Sequence, residues 1–294
     1  MEGNVMNEQP RLDMLVPLEM AQKAEDIGVK KAAMGWRNMF LLAILAGAFI
    51  ALGAIFATTV TAGAAGKMPF GIVKLAGGLV FCLGLILVII AGAELFTGNN
   101  LIIMALASRK ITIKQLLRNW VIVYIGNFSG AIMTVILMLL TNQYTAGNGA
   151  VGLNILAIAN AKCDLGFIQA VTLGMMCNGL VCLAVWMCFS GHTTTDRVLA
   201  IVFPITAFVA AGFEHCVANM YFIPMGLFVK LFAKMEFWTS IGKTSADYAA
   251  LTWGNFFVVN LLPVTIGNIV GGVVMVGLIY WFIYIRKPRV PIFS

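Results

Sequence analysis

The side chains best able to do chemistry in this 294-residue chain are few and lie within apolar sequence. Of twelve acidic residues, Glu94 and Glu214 interrupt long apolar stretches, in Glu-Leu-Phe-Thr-Gly-Asn-Asn and Glu-His-Cys-Val-Ala-Asn-Met respectively. If those stretches cross a bilayer, an ionisable group within them is a functional candidate by default. A carboxylate beside unwound backbone can also accept freed N–H groups and hold a loop in shape. The symmetric placement of the pair favours that scaffold role, with Asn99 and Asn219 five positions further on in each segment. His215 follows Glu214, whereas Leu95 follows Glu94, so repetition of the motif does not require the histidine. A buried imidazole can donate to an anion or exchange a proton near neutral pH; it can equally be satisfied by loop carbonyls. The other histidine, His192, falls in a polar connection and is expected to face water. The Thr97 hydroxyl can donate to an anion or cap a following half-helix. Asn178 and Asn268 fall inside apolar stretches, where an amide needs a helix–helix partner or a wet path.

These residues must be positioned by membrane helices. Hydrophobic residues make up 61% of the chain and charged ones 11%, against about 25% charged in soluble domains. A helix needs roughly 20 apolar residues to cross a hydrocarbon core. Single spans are read near 39–61, 114–140, 167–189 and 255–285; the stretches 75–107 and 198–229 are longer, and each carries one of the interruptions. The expectation is an all-α membrane protein of six transmembrane helices, with the second and fifth broken. An even number of crossings puts both termini on one side. Lys67, Lys74, Lys162, Lys230, Lys234 and Lys243 then lie outside, and the other thirteen of nineteen basic residues lie in the cytoplasm, as the positive-inside rule requires. The chain divides into a cytoplasmic segment 1–38, a channel domain 39–285 and a cytoplasmic tail 286–294. Leu18 to Val29 can form an amphipathic helix with Met20, Ala24 and Ile27 on one face, read as an interfacial anchor.

The two halves echo one another. Residues 91–99 and 211–219 share Ala-Gly-x-Glu-x-x-x-x-Asn, and 125–130 and 266–271 share Ile-Gly-Asn-x-x-Gly, in the same order. Three crossings per half make the repeats inverted, a common plan for transporters and channels. Irregular backbone is tolerated at membrane depth only inside protein or beside a wet cavity, so 94–100 and 214–220 should meet in the interior. A helix N terminus freed there would aim N–H groups at an anion.

Other function classes fit poorly. The net charge of +7 is largely topological and does not point to nucleic acid. The six cysteines lack metal spacing, and five lie in apolar segments, where a thiol behaves as a small hydrophobe. No nucleophile–base pair or metal cluster is visible, so neither an enzyme nor a cofactor is expected. Glycines inside the spans are read as packing positions.

Specific strings carry a resemblance: KMPFGIVKLAGG (67–78), AGAELFTGNNL (91–101), RNWVIVYIGNFSGA (118–131), AGFEHCVANMYFIPMG (211–226) and NLLPVTIGNIVGG (260–272). The chain resembles the formate/nitrite transporters from end to end. That resemblance implies an aquaporin-like fold, a homopentamer with one pore per protomer, and a bacterial inner membrane. It implies passive or proton-linked passage of formate, with nitrite or hydrosulfide as alternatives. It implies a central position at His215 and Thr97, with Asn178 and Asn268 nearby and Lys162 at the outer vestibule. Phe81, Leu85 and Phe208 match an outer constriction and Leu95, Phe96 and Val181 an inner one. The segment 95–103 matches a mobile loop, and the N-terminal helix matches a pH-sensitive gate. A water or glycerol channel would share the fold, but no Asn-Pro-Ala occurs in the chain.

Overall fold

The computed structural model describes residues 14–286. Positions 1–13 of the expected cytoplasmic segment and all but the first residue of the expected 286–294 tail lie outside that range. Among the described residues twelve α-helical segments follow one another, several extended by π or 3-10 turns: α1 (Pro17–Ala33), α2 (Trp36–Val60), α3 (Phe70–Ile86), α4 (Ile103–Ala107), α5 (Ile113–Leu140), α6 (Ala150–Lys162), α7 (Phe167–Ser190), α8 (Thr194–Ala210), α9 (Cys216–Phe232), α10 (Met235–Ile241), α11 (Trp253–Asn255) and α12 (Leu262–Val270). Among the described residues five helices are long and apolar enough to cross a bilayer, and α9, too short to qualify alone, raises the number to as many as six when counted with α10, from which it is bent by 110°. At about 1.5 Å per residue the 25 residues of α2 reach about 37 Å, enough to cross with some tilt.

Local chemistry explains where helices start and stop. Thr112 Oγ1 accepts from Gln115 N at 3.3 Å while Gln115 Oε1 accepts from Thr112 N at 2.8 Å, a reciprocal cap that opens α5. Thr193 and Asp196 do the same for α8, at 3.1 and 2.9 Å. α3 runs on through a π turn, Leu87–Gly92, and halts where Gly92 takes φ +83°. α8 ends at Ala210, two residues before Gly212, whose φ is +74°. Only glycine adopts that left-handed geometry without strain, so these two positions terminate their helices sharply.

The long helices pack through small residues. A Cβ on Gly130 would collide with the Ile44 carbonyl, bringing α5 against α2, and one on Gly271 would collide with the Met175 carbonyl of α7. Such close approach is how helices associate where lipid supplies no hydrophobic drive. Many large apolar side chains stay on the outer surface, including Phe203 at 77% and Ile168 at 72% exposure, which suits lipid or a protein neighbour rather than water.

The reading of the N-terminal helix as an interfacial anchor is corrected. α1 lies against the protein: Met20, Ala21 and Ala24 pack with Met104 and Trp186, and Ala32 packs with Ile102 and Ala105. Lys110 Nζ ties it down further, 2.6 Å from Glu25 and 3.5 Å from Asp26. Protein covers the apolar face that amphipathicity alone assigns to lipid.

Candidate functional site

Each helix break is held by a four-residue polar network. Glu94, 5% exposed, places its backbone N–H on the Leu42 carbonyl at 3.2 Å. Its carboxylate accepts from Lys31 Nζ at 2.8 Å and from Asn99 Nδ2 at 2.7 Å. Asn99 Nδ2 also reaches Asn119 Oδ1 at 2.9 Å, and Asn119 Nδ2 returns to the Lys31 carbonyl at 3.3 Å. At the second break, Glu214 accepts from Lys162 Nζ and from Asn219 Nδ2, each at 2.6 Å. Asn219 Nδ2 meets Asn260 Oδ1 at 2.7 Å, and Asn260 Nδ2 closes the ring on the Lys162 carbonyl at 2.9 Å.

A second pair of amides latches the unwound backbone. Asn127 Oδ1 accepts from Phe96 N at 2.9 Å, and its Nδ2 donates to the carbonyls of Ala43 and Glu94 at 2.8 and 2.9 Å. Asn268 Oδ1 accepts from Cys216 N at 2.9 Å, and its Nδ2 donates to the carbonyls of Gly174 and Glu214 at 2.8 and 2.9 Å. Backbone groups that leave a helix at this depth need such partners, because an unmet one costs a full desolvation penalty.

Between the two breaks sit His215 and Thr97, 118 residues apart in sequence and 3.0 Å apart between Nε2 and Oγ1. His215 is the N-cap of α9, and its Nδ1 accepts from Ala218 N at 3.0 Å. That bond fixes the neutral tautomer with its proton on Nε2, which donates to the threonine hydroxyl. The imidazole lies nearly parallel to the Phe208 ring, with centroids 5.9 Å apart. Asn178 joins the two breaks: its Nδ2 faces Asn100 Oδ1 at 2.8 Å and the carbonyls of Thr97 and Asn268 at 3.3 and 2.6 Å.

An apolar gap of about 10 Å³, room for roughly one water, is lined by Ile50, Phe81, Leu85, Leu95, Val181, Ile205, Phe208 and His215. Five of the six expected constriction residues therefore meet the histidine at one void. Phe96 does not line it; its ring turns toward Trp120 and Tyr124, with centroids 6.1 and 4.9 Å away. Lys162 is held in its ion pair with Glu214, its side chain 16% exposed. On the α1 side of Leu85 and Leu95 a vestibule of about 400 Å³ opens, roofed by α1 and bordered by Glu94 and Asn99. His192 is exposed, as its polar setting requires. Among the described residues no cluster of three or more His, Cys, Asp and Glu side chains could hold a metal ion.

Sequence reading missed Lys31, Asn119 and Asn260 as partners in these networks. A signal was present: an asparagine stands eight positions before the Ile-Gly-Asn asparagine in both halves, Asn119 before Asn127 and Asn260 before Asn268. Lys31 carried no such signal, since it lies on α1, 63 residues before Glu94.

Residues 18–282 match the formate/nitrite transporter family. The chain belongs to the formate/nitrite transporter family. It is 50% identical over 275 residues to the formate channel FocA of Escherichia coli (strain K12), covering 94% of this chain and 96% of that protein. It is 46% identical to the formate channel FocA of Haemophilus influenzae, covering 90% and 92% respectively. A solved structure described as a pentameric formate channel with formate bound superposes with TM-score 0.82 at 52% identity, covering 85% of this chain and 98% of that one. A second member, described as an FNT family ion channel, gives TM-score 0.74 at 28% identity, covering 92% and 99%. Membership of a transporter family at this coverage makes the chain a membrane transport protein.

Proposed function

We propose that this protein is a channel for formate and similar small monovalent anions, with one pathway in each protomer. The path runs from the α1-side vestibule past Leu95, Leu85 and Val181 to His215 and Thr97, then out past Phe81 and Phe208. The observation that carries this reading is the His215–Thr97 hydrogen bond at 3.0 Å, set against an otherwise apolar gap. A bare anion in such a gap loses its hydration at high cost. His215 Nε2–H can turn from Thr97 to the anion, and the Thr97 hydroxyl supplies a second donor. A formate ion exceeds a one-water void, so transit needs displacement of the flanking apolar side chains, a gate of the dewetting kind. Glu94, Glu214, Asn99, Asn219 and Asn268 act in this reading as scaffold for the breaks, and Lys162 as the partner of Glu214.

The remaining architecture follows the same reading. Two inverted three-helix repeats, arranged as in an aquaporin, account for the paired networks, in which Lys31, Glu94, Asn99 and Asn119 correspond to Lys162, Glu214, Asn219 and Asn260. α3 with α4 forms the broken second span, and α8 with α9 the broken fifth. A homopentamer in a bacterial inner membrane, with both termini cytoplasmic, fits the exposed apolar faces and the pentameric state described for the similar solved channel. Residues 1–38 and 286–294 then flank the 39–285 channel domain on the cytoplasmic side.

Formate uptake into proteoliposomes, measured at several pH values against protein-free liposomes, tests the proposal. Protein-dependent flux that nitrite and hydrosulfide only partly inhibit supports a formate pathway. Flux no greater than in the protein-free control at any pH rejects it, and faster flux of nitrite or hydrosulfide reassigns the cargo.

A further inference from the structure

The α1-side vestibule holds charge that the central pair does not explain. Three cationic side chains line it, Lys23 and Lys31 from α1 and Arg197 from α8, with Glu94 the carboxylate among the lining residues. Glu94 is occupied by Lys31 at 2.8 Å. Lys23 Nζ donates to the Phe189 carbonyl at 2.8 Å, which supplies no counter-charge. The Nε of Arg197 is buried and has no hydrogen-bond partner among the described residues. The neighbouring acid, Asp196, is committed to the α8 cap, where its Oδ2 accepts from the backbone N–H of His192 and Thr193 at 3.0 and 2.9 Å. Burial, and after it the charge of Arg197, hold the Lys23 ammonium below the ordinary lysine range. Two cations thus line one vestibule with no acid assigned to either, an arrangement that an anion completes.

We propose that Lys23 and Arg197 form an anion-binding station for small carboxylates in the vestibule, separate from the His215–Thr97 pair. The planar guanidinium of Arg197, on the vestibule wall, suits one face of a carboxylate, and the ammonium on α1 meets the other oxygen as a point charge. The vestibule volume of about 400 Å³, against about 10 Å³ at the central gap, sets a wider ligand range at the station than along the path. Formate and two-carbon carboxylates both fit there. Because the two cations lie on different helices, the bound anion also bridges α1 to α8.

Binding is read separately from transport. Thermal unfolding of the detergent-solubilised protein is followed in sodium formate, acetate, phosphate or chloride at constant ionic strength, since a ligand of the folded state raises the transition. Formate and acetate are expected to raise it above chloride, and the increment to vanish in the Lys23→Gln/Arg197→Gln double variant, with Arg197→Lys keeping part of it. In proteoliposomes the double variant should need about two- to fivefold more formate for half-maximal flux from the α1 face, the range for water-exposed ion pairs, at unchanged maximal flux. An equal carboxylate increment in the double variant overturns the station, as does an unchanged half-saturating concentration. A larger increment with phosphate than with acetate overturns the carboxylate assignment. If the double variant does not fold, Lys23→Gln alone carries both assays. Absence of formate flux in the unaltered protein overturns the proposed function but leaves the unfolding assay to decide the station.

Discussion

Replacing His215 with asparagine separates the histidine's chemistry from its structural duties. Asparagine is among the best N-cap residues, so the bond to Ala218 N that opens α9 is kept. What is lost is the hydrogen bond to Thr97, whose buried hydroxyl is left unpaired at about 1–3 kcal/mol, and the ring contact with Phe208, worth about 0.5–1.5 kcal/mol beyond its buried area. The sum, about 1.5–4.5 kcal/mol, stays below a typical stability of about 5–15 kcal/mol. The variant should therefore fold, and any change in flux reports on the pathway rather than on misassembly. The side chain no longer offers an Nε2–H donor and falls short of Thr97, so formate flux should fall and its profile between about pH 5 and 8 should differ from the unaltered protein's. Proteoliposome flux across that range, with melting temperature as the control, makes the comparison. A pH profile that overlays the unaltered protein's would remove His215 from the transport mechanism.

Further consequences follow from the networks and the packing. Glu214→Ala strands Lys162, whose side chain is 16% exposed, and Glu94→Ala strands Lys31 at 27%; breaking a fully buried pair costs about 3–5 kcal/mol, so both should lose less than that and the Glu214 variant should melt at the lower temperature. Gly130→Ala drives a Cβ into the Ile44 backbone and should abolish monodisperse protein on gel filtration, whereas Gly71→Ala, with no atom within 4 Å, should be neutral or slightly stabilising. Leu95→Ala shortens a side chain that borders the central gap and should raise formate flux and weaken its selectivity over larger carboxylates in the same vesicle assay. The bond to Glu25 raises the Lys110 ammonium above its ordinary 10.5. The tether it gives α1 is therefore fully present below pH 10.5 and fades as pH climbs through the raised value, which limited proteolysis of α1 across that window would detect.

The sequence by itself determined what depends on local pattern. Hydropathy over about 20 residues located the spans because burying backbone in lipid demands unbroken apolar helices. The Glu94 and Glu214 segments stood out as breaks because polar residues there violate that demand, and the helices do end beside them, at Gly92 and Gly212. The tertiary structure alone decided partner choice. Lys31 finds Glu94 across 63 residues, Asn119 finds Lys31 across 88, and His215 finds Thr97 across 118. No periodicity encodes such pairs, because a hydrogen bond depends on where two helices cross, and that is set by close-packed glycines and side-chain volume. The same reason explains α1 and Phe96. Amphipathicity showed that α1 has an apolar face but not whether lipid or protein would cover it, and only the packed fold turned the Phe96 ring toward Trp120 and Tyr124 and left Leu95 facing the gap.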